Sequence, residues 1–176
     1  YGEYQVVDNR TTSTWSAADI STSADGAMDV HLADINLDGY LDIVYASMHD
    51  DTIAWYENNK DRNPSFTEKH TISTNADSAN GIFVADLDGD GDLDVISASA
   101  NDDKISWYEY YYGSFTERSI ATSADQASKV FVADLDGDGD LDIVSSSRGD
   151  DTIAWYENDG ADDPTFTAAD IATDAD

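Results

Sequence analysis

The nine residues Asp134-Leu135-Asp136-Gly137-Asp138-Gly139-Asp140-Leu141-Asp142 constrain this chain more than any other stretch, because the same pattern occurs three times. Asp86-Leu87-Asp88-Gly89-Asp90-Gly91-Asp92-Leu93-Asp94 is a near twin, and Asp34-Ile35-Asn36-Leu37-Asp38-Gly39-Tyr40-Leu41-Asp42 is a looser copy. In each, side-chain oxygens at positions 1, 3, 5 and 9 surround a glycine at position 6. A short loop wraps a hard, oxygen-seeking cation in this way. The glycine supplies the φ > 0 turn that lets the loop curl back. Without a cation so many carboxylates within nine residues repel one another, so the pattern predicts a Ca²⁺ ion in each loop rather than a solvated acidic turn.

The chain has 176 residues, enough for one domain with a sizeable core. Its 8 basic and 38 acidic residues give a formal charge of −30. Three Ca²⁺ ions would leave −24, so the loops account for only part of the acidity. The remainder suits a protein kept soluble in a salty medium, where screening limits self-repulsion to about 10 Å or less. Nucleic acid and anionic membrane both demand a basic footprint that this chain lacks. With no cysteine, disulfides and thiolate metal sites are excluded. Ca²⁺ loops of the affinity typical of extracellular modules, roughly 10⁻⁴ to 10⁻³ M, would be empty in cytosol, which points to a secreted or cell-surface protein. No apolar run has the length of a membrane span and no signal peptide opens at Tyr1, so a mature chain or a portion of a longer one is expected.

From about residue 26 a unit repeats three times. A short apolar strand (Val30–Ala33, Ile82–Ala85, Val130–Ala133) runs straight into the acidic loop, and a second strand (Leu41–Ser47, Leu93–Ser99, Leu141–Ser147) leaves it. Adjacent rather than alternating apolar residues imply that both faces of this second strand are covered. A polar Asp-Asp turn (Asp50-Asp51, Asp102-Asp103, Asp150-Asp151) feeds a third strand with Ile and Trp on one face and Ala or Ser and Tyr on the other. These turns are read as turns in preference to second cation sites. A Thr-rich fourth strand anchored by Phe66, Phe115 or Phe166 follows. Asp34 to Trp55, Asp86 to Trp107 and Asp134 to Trp155 each span 21 residues, whereas the piece after the Trp strand varies in length and is expected to be a surface loop, including Tyr110-Tyr111-Tyr112-Gly113.

Repeats of about 50 residues offering four strands and no helical pattern signal an all-β fold made of β-propeller blades, four-stranded antiparallel sheets packed face to face. The expected division is residues 1–24 as the outer strand of a preceding blade, 25–75, 76–123, and 124–176 as a third blade with the start of the next repeat. An outer strand over residues 12–22 has no upstream partners. Propellers usually have at least four blades. Further blades are therefore expected from a longer polypeptide, with head-to-tail pairing between chains as the other possibility. Asn9-Arg10-Thr11 is a glycosylation sequon.

With loop and setting assembled, the chain resembles the FG-GAP/VCBS repeat family, whose Ca²⁺-loop blades also form the integrin α-chain propeller. The resemblance runs from Gly26 to Thr173 and implies that the ligands are Asp34, Asn36, Asp38 and Asp42; Asp86, Asp88, Asp90 and Asp94; and Asp134, Asp136, Asp138 and Asp142. The position-7 backbone carbonyls of Tyr40, Asp92 and Asp140 would complete each shell. Asn36 removes one carboxylate, which predicts weaker binding in the first loop. An EF-hand is disfavoured, since it needs flanking helices and a Glu at position 12, where Tyr45, Ser97 and Ser145 stand.

Nothing in the sequence predicts an enzyme. The prominent carboxylates belong to the loops, and His31, His49 and His70 follow no repeated pattern. Trp55, Trp107 and Trp155 are expected between blades rather than on a sugar, and the same packing role is expected of Tyr108, Tyr110, Tyr111 and Tyr112, with a carbohydrate or protein contact as the alternative. The function read from the chain is an extracellular Ca²⁺-binding module presenting loops for adhesion or for a protein or carbohydrate ligand. The alternatives are a structural subunit of an extracellular assembly and a non-catalytic part of a larger secreted enzyme.

Overall fold

The computed structural model describes residues 18–172. Twelve strands lie in order: β1 (Ala27–Ala33), β2 (Asp42–Ser47), β3 (Thr52–Glu57), β4 (Glu68–Ser73), β5 (Ala79–Ala85), β6 (Asp94–Ser99), β7 (Lys104–Tyr111), β8 (Ser114–Ala121), β9 (Ala127–Ala133), β10 (Asp142–Ser147), β11 (Thr152–Asn158) and β12 (Phe166–Ala172). They form three four-stranded antiparallel meanders, β1-β2-β3-β4, β5-β6-β7-β8 and β9-β10-β11-β12, which pack as propeller-like blades in an unclosed array. The sequon at Asn9 and most of the outer strand expected over residues 12–22 lie outside the described residues. Among the described residues no helix is long and apolar enough to cross a membrane.

Face-to-face packing explains the two-sided apolar pattern of the second and third strands. Val44, Ala46, Ile53 and Trp55 of the first blade meet Ile82, Val84, Val95 and Tyr108 of the second. The same chemistry recurs one step on, where Ile96, Ala98, Ile105 and Trp107 meet Val130, Val132, Ile143 and Tyr156. Each blade therefore has a Trp face and a Tyr face, and each internal interface joins one to the other. Among the described residues each outer blade keeps one such face without a neighbouring sheet. Val30 and Leu32 are 62% and 57% exposed at one end. At the other, Val144, Ile153 and Trp155 are only partly buried, although Trp107 is 1% exposed.

The inner strands β1, β5 and β9 lie side by side, and rings at equivalent positions meet edge-to-face along them: His31 against Phe83 at 4.9 Å and Phe83 against Phe131 at 4.8 Å. Asp29 on β1 joins all three blades, accepting from the Ile82 N–H at 3.2 Å and from the Lys129 ammonium at 2.7 Å. Gly81 permits this approach, because a Cβ there would lie 2.8 Å from the Ser128 carbonyl oxygen and 2.9 Å from Lys129 Cα.

The Asp-Asp turns carry a second connection. The second Asp of each, Asp51, Asp103 and Asp151, sits at φ 52–55°. Asp51 Oδ1 accepts from Ser78 N–H at 2.9 Å and Asp103 Oδ1 from Gln126 N–H at 3.0 Å, so each of these turns catches the lead-in of the following blade. The expected loop at Tyr110–Gly113 is corrected to a hairpin. β7 continues through Tyr111, and only Tyr112 and Gly113, at φ 47° and 84°, form the turn. Two left-handed residues in a two-residue turn match the twist of the flanking strands, so no longer connection is needed. Tyr108 is buried, as packing predicts, and Tyr110 packs on Phe115, but Tyr111 and Tyr112 are exposed.

Candidate metal centres

Each acidic loop joins the first strand of its blade to the second. Position 6 is left-handed in all three, at Gly39, Gly91 and Gly139. Position 4 is left-handed as well: Gly89 and Gly137 take it freely, while Leu37 is forced to φ 55°. The loops are wound by short Asx contacts in which backbone N–H groups donate to the carboxylates. Gly91 N–H donates to Asp86 at 3.1 Å, and Asp92 N–H to Asp90 at 2.8 Å. Gly139 N–H donates to Asp134 at 3.2 Å, and Asp140 N–H to Asp138 at 3.0 Å.

In the second and third loops this winding brings one carboxylate oxygen each from Asp86, Asp88 and Asp90, and from Asp134, Asp136 and Asp138, within 4.8 Å of one another. The donors are all oxygen, which suits a hard divalent cation. Asp86 Oδ1 is buried with no hydrogen-bond partner. Desolvation, then the charge of neighbouring carboxylates, raises the carboxyls of Asp88 and Asp136 above the usual range. A cation would reverse that pressure.

The ninth residue behaves differently. Asp42, Asp94 and Asp142 are buried and stand outside the 4.8 Å groups. Each takes one N–H from inside its loop and one from the end of its third strand. Asp42 accepts from Ile35 at 3.2 Å and Asn58 at 2.8 Å. Asp94 accepts from Leu87 at 3.2 Å and Tyr110 at 2.8 Å, and Asp142 from Leu135 at 3.1 Å and Asn158 at 2.9 Å. This carboxylate staples the loop to the blade. Burial pushes the Asp94 carboxyl up to about 7 despite both amides, and raises Asp42 too.

The first loop holds a cation of its own. Lys60 Nζ lies 2.9 Å from Asp38 Oδ2, and this contact holds the Asp38 carboxyl below its ordinary range. Asn36 turns its amide to Glu57 Oε1 at 3.3 Å, and the side chains of Asp34, Asn36 and Asp38 form no three-carboxylate group. At the place of Lys60 the third blade has Gly160, where any Cβ would run into the Asp140 carboxylate.

A third group of potential ligands lies elsewhere in the first blade, at Glu57, Glu68 and His70. Its members stand 11 and 2 residues apart on two strands, so only the pairing of β3 with β4 brings them together; the spacing carries no motif. Among the described residues there are thus three clusters able to hold a metal ion, two of them in the repeated loops.

An FG-GAP-like repeat model matches the chain at residues 34–97, 86–145 and 134–176. Each match opens on the first aspartate of a loop, and these repeats are non-catalytic. No curated protein matches the chain. The matches together run over residues 34–176, and the chain belongs to the FG-GAP-like repeat family.

Proposed function

We propose that the chain is an extracellular propeller module in which Ca²⁺ rigidifies the corner between the first two strands of a blade, so that exposed loops and turns are held ready for a protein or carbohydrate ligand. The buried, unpartnered Oδ1 of Asp86 among three gathered carboxylates carries this reading. Asp86, Asp88, Asp90 and the carbonyl of Asp92 would hold one ion; Asp134, Asp136, Asp138 and the carbonyl of Asp140 would hold another. Asp94 and Asp142 fix each loop to its blade and keep lone pairs free for the same ion. In the first loop Asp34, Asn36, Asp38, Asp42 and the Tyr40 carbonyl would take an ion weakly, in competition with Lys60. Exposed Tyr111 and Tyr112, stacked edge-to-face at 4.3 Å, are the aromatic surface most suited to a ligand.

Calorimetry tests the metal. A site held at 100 times its dissociation constant contributes about 2.7 kcal/mol, so melting in excess Ca²⁺ is expected well above melting in EDTA. Equal melting temperatures would refute the reading. Titration is expected to show two tighter equivalents and a weaker third.

The exposed Val30 and Leu32 and the half-covered Trp155 favour a second reading, a building block whose terminal faces take further sheets. These come from the rest of a longer chain, such as one carrying a secreted enzyme's catalytic domain, or from another copy. Native mass with and without Ca²⁺ separates them: a discrete monomer supports the ligand-presenting module, and Ca²⁺-dependent oligomers support the assembly.

A further inference from the structure

The Glu57, Glu68 and His70 group is independent of the repeated loops, and its chemistry is different. Glu57 closes β3, Glu68 opens β4, and the two are direct cross-strand partners. His70 lies two residues along β4, on the same face, opposite Trp55. Like charges directly opposite on paired strands are destabilising. The corresponding pairs in the other blades are Glu109 with Thr116 and Glu157 with Thr167, so the doubled carboxylate belongs to the first blade alone.

The second blade shows what this position requires. There Arg118 occupies the register place of His70, opposite Trp107, and its Nε donates to Glu109 at 2.7 Å. Its guanidinium lies 5.1 Å from the Trp107 ring centroid, so a permanent cation is seated on the glutamate and the indole. The first blade has the same glutamate and the same indole, a second glutamate, and an imidazole in place of the guanidinium. Unlike Arg, an imidazole can offer a lone pair.

The imidazole is aimed into the group. Its ring is stacked on Trp55 at 4.3 Å and 19°. Nε2 is buried, has no hydrogen-bond partner, and lies 3.3 Å from Glu57 Oε2 and 3.9 Å from Glu68 Oε1. Zn²⁺ with nitrogen and carboxylate ligands at 2.0–2.2 Å in a tetrahedron sets its ligand atoms about 3.3 Å apart. The other oxygen of Glu57 is already engaged by Asn36 Nδ2 at 3.3 Å and approached by Lys60 at 4.0 Å, which leaves Oε2 for the ion. A cleft of about 520 Å³, walled by Trp55, His70, Tyr110 and Phe115, gives solvent access to His70.

We propose that Glu57, Glu68 and His70 form a site for a borderline-soft divalent cation of the Zn²⁺ class, distinct from the all-oxygen loops. Imidazole selects against Ca²⁺ and Mg²⁺, so this ion is not the one the loops would take.

The test uses the whole chain in saturating Ca²⁺, which occupies the oxygen loops, and repeats the measurement in its absence. Zn²⁺ is titrated by calorimetry while the ring signals of the three histidines are followed by ¹⁵N NMR. One Zn²⁺ equivalent is expected, shifting the His70 signal and leaving His31 and His49 in place. His70→Ala and Glu68→Gln are each expected to weaken that equivalent at least tenfold, whereas His49→Ala, which breaks the 3.1 Å contact of His49 with Asp25, leaves it unchanged. Glu68 is exposed, so its variant tests the site even if His70→Ala perturbs β4. Zn²⁺ binding undiminished in Glu68→Gln, or a His70 ring signal that does not shift with Zn²⁺, would overturn the proposal. Either result is independent of whether Ca²⁺ binds the loops.

Discussion

Asp94 and Asp88 are six residues apart in one loop, and the structure gives them separate tasks. Asp94 accepts two backbone N–H groups from inside the fold, whereas Asp88 faces its fellow carboxylates. Asp94→Ala leaves both amides without an acceptor and is expected to cost about 3 kcal/mol or more in urea denaturation, with Ca²⁺ or with EDTA. Asp88→Ala is expected to lower stability in Ca²⁺ and to be neutral or stabilising in EDTA, where it relieves repulsion. If both variants lost stability equally in EDTA, this division would be wrong. Leu37 is a separate matter: it holds a left-handed conformation that its counterparts Gly89 and Gly137 take without strain. Leu37→Gly is expected to stabilise the metal-free chain by about 1 kcal/mol, the relief of a Cβ clash less the added freedom of the unfolded glycine. Position 4 was open to discovery in the sequence, as two copies carry glycine there, but the divergent Leu37 concealed it.

At the scale of strands, β5 and β9 approach as closely as they do because residue 81 has no side chain. Gly81→Ala forces the backbones apart and is expected to cost about 1–3 kcal/mol, measured by denaturation. The ion pair beside it responds to acid. Burial raises the Asp29 carboxyl, but the Lys129 ammonium and the Ile82 and Val30 amides outweigh it and leave it below the ordinary value of 3.8. The charged form is thus favoured by folding, and its contribution is present above the unfolded pKa and lost as the pH falls through the folded one. In EDTA, wild type is expected to lose more stability between pH 5 and pH 3 than Asp29→Asn does. Parallel acid profiles would sink the assignment. The strands themselves were legible, since adjacent apolar pairs such as Ile43-Val44 and Ile143-Val144 announced two covered faces. The contacts between residues far apart in the chain were not. Asp29 meets Lys129 in another blade across 100 residues, and within the first blade Glu57 meets Glu68 only through strand register, neither of which leaves a local pattern.

For the whole molecule, repetition makes the two terminal faces complementary in kind: a Trp face is left at one end and the strand carrying Val30 and Leu32 at the other. Trp155 is therefore expected to be quenched by acrylamide more readily than Trp55 or Trp107, as single-Trp variants would show, and to become protected when another sheet packs on it. Equal protection of all three in a monomer would contradict the open array. The three-blade organisation was readable from the constant distance between loop and Trp. The difference between the first loop and its counterparts was only half readable: Asn36 stands where they carry aspartate, while the approach of Lys60 to Asp38 from beyond the third strand left no local pattern.

The Asp51 and Asp103 turns have a consequence for how such a chain could be made and altered. What each turn grips is a backbone N–H, a group every residue but proline supplies, and the gripping carboxylate comes from the blade before. A blade emerging during synthesis thus finds this anchoring point already shaped by its predecessor, and the hydrogen bond asks only that the gripped residue, Ser78 or Gln126, turn into the left-handed region, as each does. Whole units can be duplicated, deleted or exchanged in a gene without rewriting this one bond, while contacts such as those at Gly81 and Lys129 remain particular to each joint.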